Sequence, residues 1–232
     1  MKAFKLLICI VIAPLFFVVA CDKVKSEVPG KEQLPQRIKN VVIMGNSIVA
    51  HPVKTSIGWN ADWGMAASTR DSDFVHILMR KIHQIDPTVE IRMANISPFE
   101  QNYETYDFSQ LSAYRNADMI IIKISENVDL QTAEKRGFIT YYDKLIKYLN
   151  PDQKIKIVIS DGFWPSPVND LIKTYATDHK YPFVTLPDLY RDDVANSARG
   201  KFENEGVGNH PSDQGMRNIA NRIWDCIARY FQ

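Results

Sequence analysis

Three polar residues with complementary chemistry lie at the ends of segments that the sequence predicts to be strands or helices. Ser47 follows a short apolar run at 41–44, and Asn127 follows the most apolar and β-branched run, at 119–124. His210 precedes a proline at a predicted helix start. Together these residues supply a hydroxyl nucleophile, an amide donor and an imidazole base, which are the groups that acyl transfer requires.

Each of these residues, taken alone, also has an ordinary structural interpretation. The Gly-Asn-Ser sequence that contains Ser47 is common in turns, and Asn127 has the residue type that caps helices. His210 is equally compatible with a surface loop. The combination, in the order Ser, Asn, His at the ends of elements, is what favours a catalytic site.

The elements that must position these residues alternate between strands and helices. Apolar runs predict strands, and apolar residues three and four apart predict helices. The predicted strands are 41–44, 89–94, 119–124, 155–160 and 183–186, and the predicted helices are 73–85, 130–149, 168–179 and 216–231. This alternation predicts a parallel sheet with helices on both faces, and such sheets bind ligands at the carboxyl ends of their strands.

Composition excludes several other classes of protein. The chain has 232 residues, of which 45% are hydrophobic and 24% charged, with 28 Lys and Arg against 27 Asp and Glu. These values are typical of a globular protein and exclude a disordered or coiled-coil chain. A net charge of +1 offers no basic excess for binding nucleic acid. We expect one globular domain that is monomeric.

The first residues indicate export. Lys2 and Lys5 precede an apolar run at 6–20, which is shorter than the roughly 20 residues of a spanning helix and suits a signal peptide. The run ends in Val-Val-Ala before Cys21 and resembles the lipobox of bacterial lipoproteins. In that family the peptidase cuts before the cysteine, whose thiol carries a diacylglyceryl group. The alternative is an ordinary secretory signal in which Cys21 is incidental.

These features predict three regions. They are a signal peptide at 1–20, a lipidated Cys21 with a flexible charged tether at 21–37, and one folded domain at 38–232. We therefore expect the protein in the bacterial cell envelope, anchored by lipid and facing the periplasm or the surface. The sequence leaves open which membrane carries it.

Three short segments resemble the sequence blocks of the SGNH hydrolase superfamily, also called GDSL esterases and lipases. Residues 45–48 (GNSI) resemble its first block, 125–127 (SEN) its third and 210–212 (HPS) its last. The resemblance extends over 41–232. It implies a flavodoxin-like three-layer α/β/α sandwich with a central parallel sheet, and serine esterase chemistry with no metal or cofactor. It also implies the roles of the three site residues: Ser47 as nucleophile, Asn127 as oxyanion donor and His210 as base.

The chain departs from the family pattern beside the histidine. The family usually has an Asp three residues before the His, and Val207 occupies that position here. A Ser47–His210 dyad is one solution. Other solutions are a nearby acid, Glu205 or Glu203, and a backbone carbonyl that holds the ring.

The second block, which supplies a glycine N–H to the oxyanion in the family, is also poorly matched. Residues 95–99 (NISPF) contain no glycine, so Gly64 is the alternative donor. Gly64 belongs to a segment, 49–70, that we expect to fold over the site. In that segment Trp59 and Trp63 either stack on sugar faces or pin the loop to the domain. His51 is a substrate contact, a rival base or a solvated loop residue.

The resemblance and the residues together predict a serine esterase that acts through an acyl-Ser47 intermediate. The expected substrate carries a short acyl group such as O-acetyl, on a small molecule or a glycan. An O-acyltransferase of the same chemistry is an alternative. A glycan-binding surface lipoprotein on a catalytically decayed scaffold is another, which the missing Asp and the poor second block favour.

Overall fold

A computed structural model describes residues 37–232, so the predicted signal peptide, Cys21 and most of the predicted tether lie outside the described residues. The described part is built on a five-stranded sheet in the order β2-β1-β3-β4-β5, in which every pair is parallel. The strands are β1 (Asn40–Gly45), β2 (Glu90–Asn95), β3 (Met119–Lys123), β4 (Lys156–Ser160) and β5 (Phe183–Val184). The most apolar run of the sequence forms β3, the central strand, as predicted.

Helices cover both faces of this sheet. The α-helices are α1 (Phe74–Ile85), α2 (Ser97–Asn102), α3 (Phe138–Leu149), α4 (Pro167–Asp178), α5 (Pro187–Asp192), α6 (Glu205–Gly208) and α7 (Asp213–Ile227). Successive side chains of a strand point to opposite faces, so each strand contributes to two cores. Val41 and Ile43 pack with α1 and α7 on one face, while Val42 and Met44 pack with α2, α3 and α4 on the other. The predicted three-layer α/β/α sandwich with a central parallel sheet is confirmed.

The predicted helix at 130–149 is wrong at its start, because α3 begins only at Phe138. Asp129 binds the backbone N–H of Gln131 and the hydroxyl of Thr132, which holds the preceding segment in turns. Gly137 then adopts the left-handed conformation with φ of 69°, which separates those turns from the helix. The short helices α2, α5 and α6 were not predicted at all.

The carboxyl ends of the strands meet at one edge of the sheet, where β1 and β3 pack closely. Gly45, the last residue of β1, pairs with Lys123 of β3. A Cβ atom at Gly45 would lie 2.5 Å from the Lys123 carbonyl oxygen and 2.5 Å from Val49 Cγ2. Glycine is therefore required beside the nucleophile for packing. None of the helices within 37–232 is long and apolar enough to cross a membrane.

Candidate active site

Ser47 and His210 are in contact although they lie 163 positions apart in the chain. Ser47 lies in the tight turn after β1, where the Asn46 carbonyl accepts hydrogen bonds from the N–H groups of Val49 and Ala50. Its Oγ lies 2.8 Å from His210 Nε2. That distance is a hydrogen bond, so the predicted nucleophile and base are placed for proton transfer.

The other ring nitrogen of His210 is held by a backbone carbonyl. Nδ1 lies 2.8 Å from the oxygen of Gly206 in α6. A carbonyl only accepts, so Nδ1 carries the proton and Nε2 has the lone pair that accepts the Ser47 hydroxyl. In this structure a main-chain oxygen therefore takes the role for which Glu205 and Glu203 were candidates. It orients the imidazole without adding a charge.

Burial determines the protonation state of this histidine. Only 8% of the His210 surface is exposed, and Trp164 contacts its ring edge to face with centroids 5.2 Å apart. Burial lowers the pKa of His210 to about 4, and this effect outweighs the opposing effect of the hydrogen bond that Nδ1 donates to the Gly206 carbonyl. The imidazole is therefore neutral near pH 7 and available as a base.

Asn127 lines the same cavity as Ser47 and His210. Its side-chain Nδ2 donates to Glu100 Oε2 at 2.7 Å, and its backbone N–H donates to Glu100 Oε1 at 3.4 Å. Since an amide nitrogen carries two hydrogens, one N–H remains for a ligand in the cavity. The arrangement suits the predicted role of Asn127 as an oxyanion donor.

Two buried carboxylates lie behind Asn127. Glu126 is paired with Lys123 and also accepts hydrogen bonds from Asn46 Nδ2 at 2.6 Å and the Phe163 N–H at 2.8 Å. Burial raises the pKa of Glu126, but the Lys123 charge and these hydrogen bonds prevail and hold it below its ordinary value. Burial, and then the charge of Glu126, raise the pKa of Glu100 to about 7. Glu100 is not predictable from the sequence, since nothing in its residue type or spacing reveals that it is buried.

Gly64 does not take the position of a second oxyanion donor. Its N–H donates to Asp73 Oδ2 at 3.2 Å, and Asp73 also caps α1 through the His76 N–H. A Cβ at Gly64 would lie 2.6 Å from the Ile48 carbonyl oxygen. Close packing under the turn that carries the nucleophile therefore accounts for this glycine.

The segment after β2 offers a hydroxyl instead. The Ile96 N–H donates to the Gly45 carbonyl, the Ser97 N–H to Asn95 Oδ1 and the Phe99 N–H to the Ile96 carbonyl, so these backbone donors are engaged. Pro98 has no N–H. Ser97 lines the cavity beside Ser47, which makes its hydroxyl the candidate donor from this strand end.

The two tryptophans of segment 49–70 lie outside the cavity wall. Trp59 is 3% exposed, donates through Nε1 to the His51 carbonyl at 3.2 Å and contacts Phe202 with ring centroids 6.3 Å apart. Trp63 donates to the Ala67 carbonyl at 2.9 Å. The structure therefore supports pinning of the loop and gives Trp59 no face for a sugar. His51 does line the cavity, with Nδ1 2.6 Å from the Pro52 carbonyl.

The cavity at Ser47 has a volume of about 270 Å³ and shares wall residues with a larger one. Its wall includes Ile57 and Asn204, and both residues also line an adjoining cavity of about 590 Å³ between 55–58 and 201–204. We call the two cavities together the site groove. Among residues 37–232, no group of three or more His, Cys, Asp or Glu side chains is arranged to hold a metal ion.

No family model matches the sequence, and no curated protein matches it. Solved structures do match. A two-domain esterase active on acetylated mannans has a TM-score of 0.55 and 18% identity, and the alignment covers 84% of this chain and 49% of that one. The present chain thus spans about half the length of that esterase.

Two other solved structures match this chain over nearly the whole of their own length. A member of the lipolytic G-D-S-L family from Veillonella parvula has a TM-score of 0.54 and 15% identity, covering 82% of this chain and 99% of that one. An α/β hydrolase enzyme from the metagenome of Lake Arreo, Spain, has a TM-score of 0.53 and 16% identity, with 83% and 96% covered. The chain therefore has the fold of the SGNH or GDSL hydrolases, as its three sequence blocks predict.

Proposed function

We propose that this protein is a serine esterase that hydrolyses a carboxylic ester through an acyl-Ser47 intermediate. One observation carries the proposal: the Ser47 hydroxyl donates to a His210 whose proton is fixed on Nδ1 by the Gly206 carbonyl. A Ser–His pair with this tautomer, open to a cavity, is what nucleophilic catalysis needs. A decayed glycan-binding protein has no use for such a pair, so its retention supports the enzyme.

The reaction proceeds in two steps. His210 Nε2 takes the Ser47 proton as Oγ attacks the ester carbonyl, and the resulting imidazolium protonates the leaving alcohol. Nε2 then takes a proton from water as the water oxygen attacks the acyl-enzyme, and it returns that proton to Ser47 Oγ as the acid leaves. Because a neutral carbonyl orients the ring, the imidazolium receives less stabilisation than a carboxylate would give.

The developing oxyanion is bound by donors from three strand ends. These donors are the Ser47 N–H after β1, the Asn127 side-chain N–H after β3 and the Ser97 hydroxyl after β2. Ser97 and Asn127 line the cavity with the nucleophile. Each preorganised donor is worth about 10²-fold or more in rate in enzymes of this type.

For the substrate, we propose a short acyl group such as O-acetyl on a glycan. The cavity at Ser47 is small, about 270 Å³, which suits a small acyl group better than a long aliphatic chain. The site groove continues past the nucleophile and provides room for a chain-like alcohol. One protein of the same fold is active on acetylated mannans, which is consistent with this class.

Fluorophosphonate labelling of the full-length protein in detergent tests the proposed chemistry. We expect covalent labelling of the wild type and of Ser112→Ala, which removes an exposed serine distant from the site. Labelling should disappear in Ser47→Ala and fall by about 10³-fold or more in His210→Ala, because the nucleophile and its base are lost. Equal labelling of wild type and Ser47→Ala, or no labelling of a folded wild type, would refute the proposal.

A further inference from the structure

One buried ionisable group takes no part in the proposed reaction. Glu100 lies on α2 and is 0% exposed. Among the described residues it forms no ion pair with a Lys or Arg side chain, whereas its neighbour Glu126 is paired with Lys123. Burying a carboxylate without a cation costs free energy unless hydrogen bonds compensate it. The contacts of Glu100 therefore indicate what the carboxylate is for.

Three N–H donors from two strand ends surround this carboxylate. Asn127 donates its side-chain Nδ2 at 2.7 Å and its backbone N–H at 3.4 Å, and Asn46 donates its Nδ2 at 3.2 Å. Asn127 is the oxyanion donor of the proposed reaction, and Asn46 precedes the nucleophile. Asn46 is also held by Glu126, which accepts from its Nδ2 at the shorter distance of 2.6 Å, so Asn127 is the asparagine whose amide is held by Glu100.

A carboxylate is selective for one orientation of an amide. It only accepts hydrogen bonds, so it binds the Asn127 NH₂ group and repels the Oδ1 atom of the same side chain. With Nδ2 turned to Glu100, the second N–H on that nitrogen faces the cavity. A group that also donates would permit the flipped amide, which would present an oxygen to the oxyanion and repel it.

We propose that Glu100 is a positioning residue that fixes the Asn127 amide in the orientation required to bind the oxyanion. The inference rests on the proposed esterase function and names a further residue for it. Glu100 itself does not touch the substrate. Its effect on the reaction passes through Asn127.

The charged and titratable groups around Glu100 determine how this device responds to pH. They lie at one strand end: Lys123 is the last residue of β3, and Glu126, three residues later, is bridged to Glu100 by Asn46. The pKa of Glu100 is raised to about 7, and that of His210 is lowered to about 4. As pH falls through 7, Glu100 gains a hydroxyl that can donate to Asn127 Oδ1, while His210 still remains neutral. Activity is therefore lost near pH 7 for a reason other than protonation of the base.

The test compares kcat and KM of wild type and Glu100→Gln on p-nitrophenyl acetate between pH 4 and pH 9. Gln both donates and accepts, so it permits either Asn127 orientation. At pH 8.5 we expect kcat to fall by about 10- to 100-fold in Glu100→Gln, with KM little changed. This decrease should not exceed the one caused by removing an oxyanion donor altogether. The decrease of kcat/KM near pH 7 should disappear in this variant, while the decrease near pH 4 remains. Glu104→Gln, an exposed change just beyond α2, is the matched control and should behave as wild type.

A double-mutant cycle separates positioning from a general loss of structure. In an Asn127→Ala background the residue that Glu100 positions is absent, so Glu100→Gln should lower kcat by less than about 2-fold. A further loss as large as in the wild type, or a decrease near pH 7 that survives in Glu100→Gln, would overturn the proposal. Fluorophosphonate labelling distinguishes failure of the proposed esterase function from failure of the proposed role of Glu100. A wild type that resists fluorophosphonate overturns the esterase, whereas equal labelling rates of wild type and Glu100→Gln overturn only the role of Glu100.

Discussion

The proposed oxyanion donors differ in how rigidly the structure holds them. A hydroxyl at Ser97 is less rigid than a backbone N–H, because it rotates about χ1 and also accepts hydrogen bonds. Its backbone is nevertheless held by Asn95 Oδ1, 2.9 Å from the Ser97 nitrogen. The strand register pairs Gly45 with Asn95, so Ser47 and Ser97 each lie two residues beyond a paired position. This register places the two hydroxyls at neighbouring strand ends.

Replacement of Ser97 by Ala should therefore act on the transition state. We expect kcat to fall by about 10- to 100-fold with KM little changed, because the donor binds the oxyanion and not the ground state. Ser97→Thr keeps the hydroxyl and should retain most of the activity. The measurement is steady-state kinetics on p-nitrophenyl acetate. Gln101→Ala removes a different exposed side chain of the same cavity wall. If Ser97→Ala matched that control, Ser97 would not be a donor.

Residue types that carry chemistry predicted part of the site. Ser47, Asn127 and His210 were identified because each lies where an element ends and has a side chain suited to one role. Gly206 was not identified, because it contributes a main-chain oxygen and every residue has one. Glu100 was missed because a glutamate in a polar segment is normally exposed, and only the tertiary structure buries it.

Segment 49–70 is a loop that buries apolar side chains. It lacks α-helix and named strands, yet it forms a small apolar core of its own with the chain around α6, centred on the buried Trp59 and including Val207 and Phe202. Because α6 carries the Gly206 carbonyl, this core connects the loop over the site to the group that orients His210.

Loss of the Trp59 ring should therefore destabilise both segment 49–70 and α6. We expect Trp59→Ala to lower the free energy of unfolding by about 3 kcal/mol, since it removes a buried aromatic side chain. The activity of the folded fraction should fall as well, because the loop and α6 lose their common contact. Trp59→Phe keeps most of the contact, so its stability and activity should lie between those of the wild type and of Trp59→Ala. Urea unfolding at 25 °C with a parallel activity assay measures both effects. An exposed tryptophan that contacts sugars would instead leave stability unchanged when truncated.

Helix prediction succeeded where a long apolar stripe exists. The spacing of Phe74, Leu78 and Ile82 predicts α1, and α7 keeps such a stripe from Met216 to Ile227. Helix α2 has only six residues, too few for a periodic pattern. That element nevertheless carries both Glu100 and Ser97, so the part of the site missed by sequence analysis lies largely on the element that was missed.

The parallel sheet explains how such distant residues form one site. All five strands of the described chain run in the same direction, so the loops after β1, β2 and β3 meet at one edge with Ser47, Ser97 and Asn127. The alternation of strands and helices was sufficient to predict this architecture. It was not sufficient to predict the shape of the site groove, which depends on how 49–70 and 199–206 fold against each other.

The shape and polarity of the site groove lead to a prediction about the whole substrate. The cavity at Ser47 is small, about 270 Å³, so activity should fall steeply from acetyl to octanoyl p-nitrophenyl esters, because most of a long aliphatic chain would stay outside it and gain little burial. A preference for octanoyl would refute the short acyl group. The adjoining cavity predicts the alcohol side. Its wall carries Lys201, Glu203 and the hydroxyls of Thr55 and Ser56, which are groups that hydrogen-bond to sugars.

The alcohol side is tested by comparing an acetylated mannan oligosaccharide with p-nitrophenyl acetate. If the oligosaccharide occupies the adjoining cavity, Lys201→Ala should raise its KM by about 3- to 10-fold, equivalent to the loss of one ordinary hydrogen bond, and leave the KM for p-nitrophenyl acetate unchanged. Lys135→Ala removes an exposed charge elsewhere on the surface and should affect neither substrate. An equal effect of Lys201→Ala on both substrates would mean that Lys201 acts on the site as a whole. No effect on either would exclude the adjoining cavity as the place where the alcohol binds.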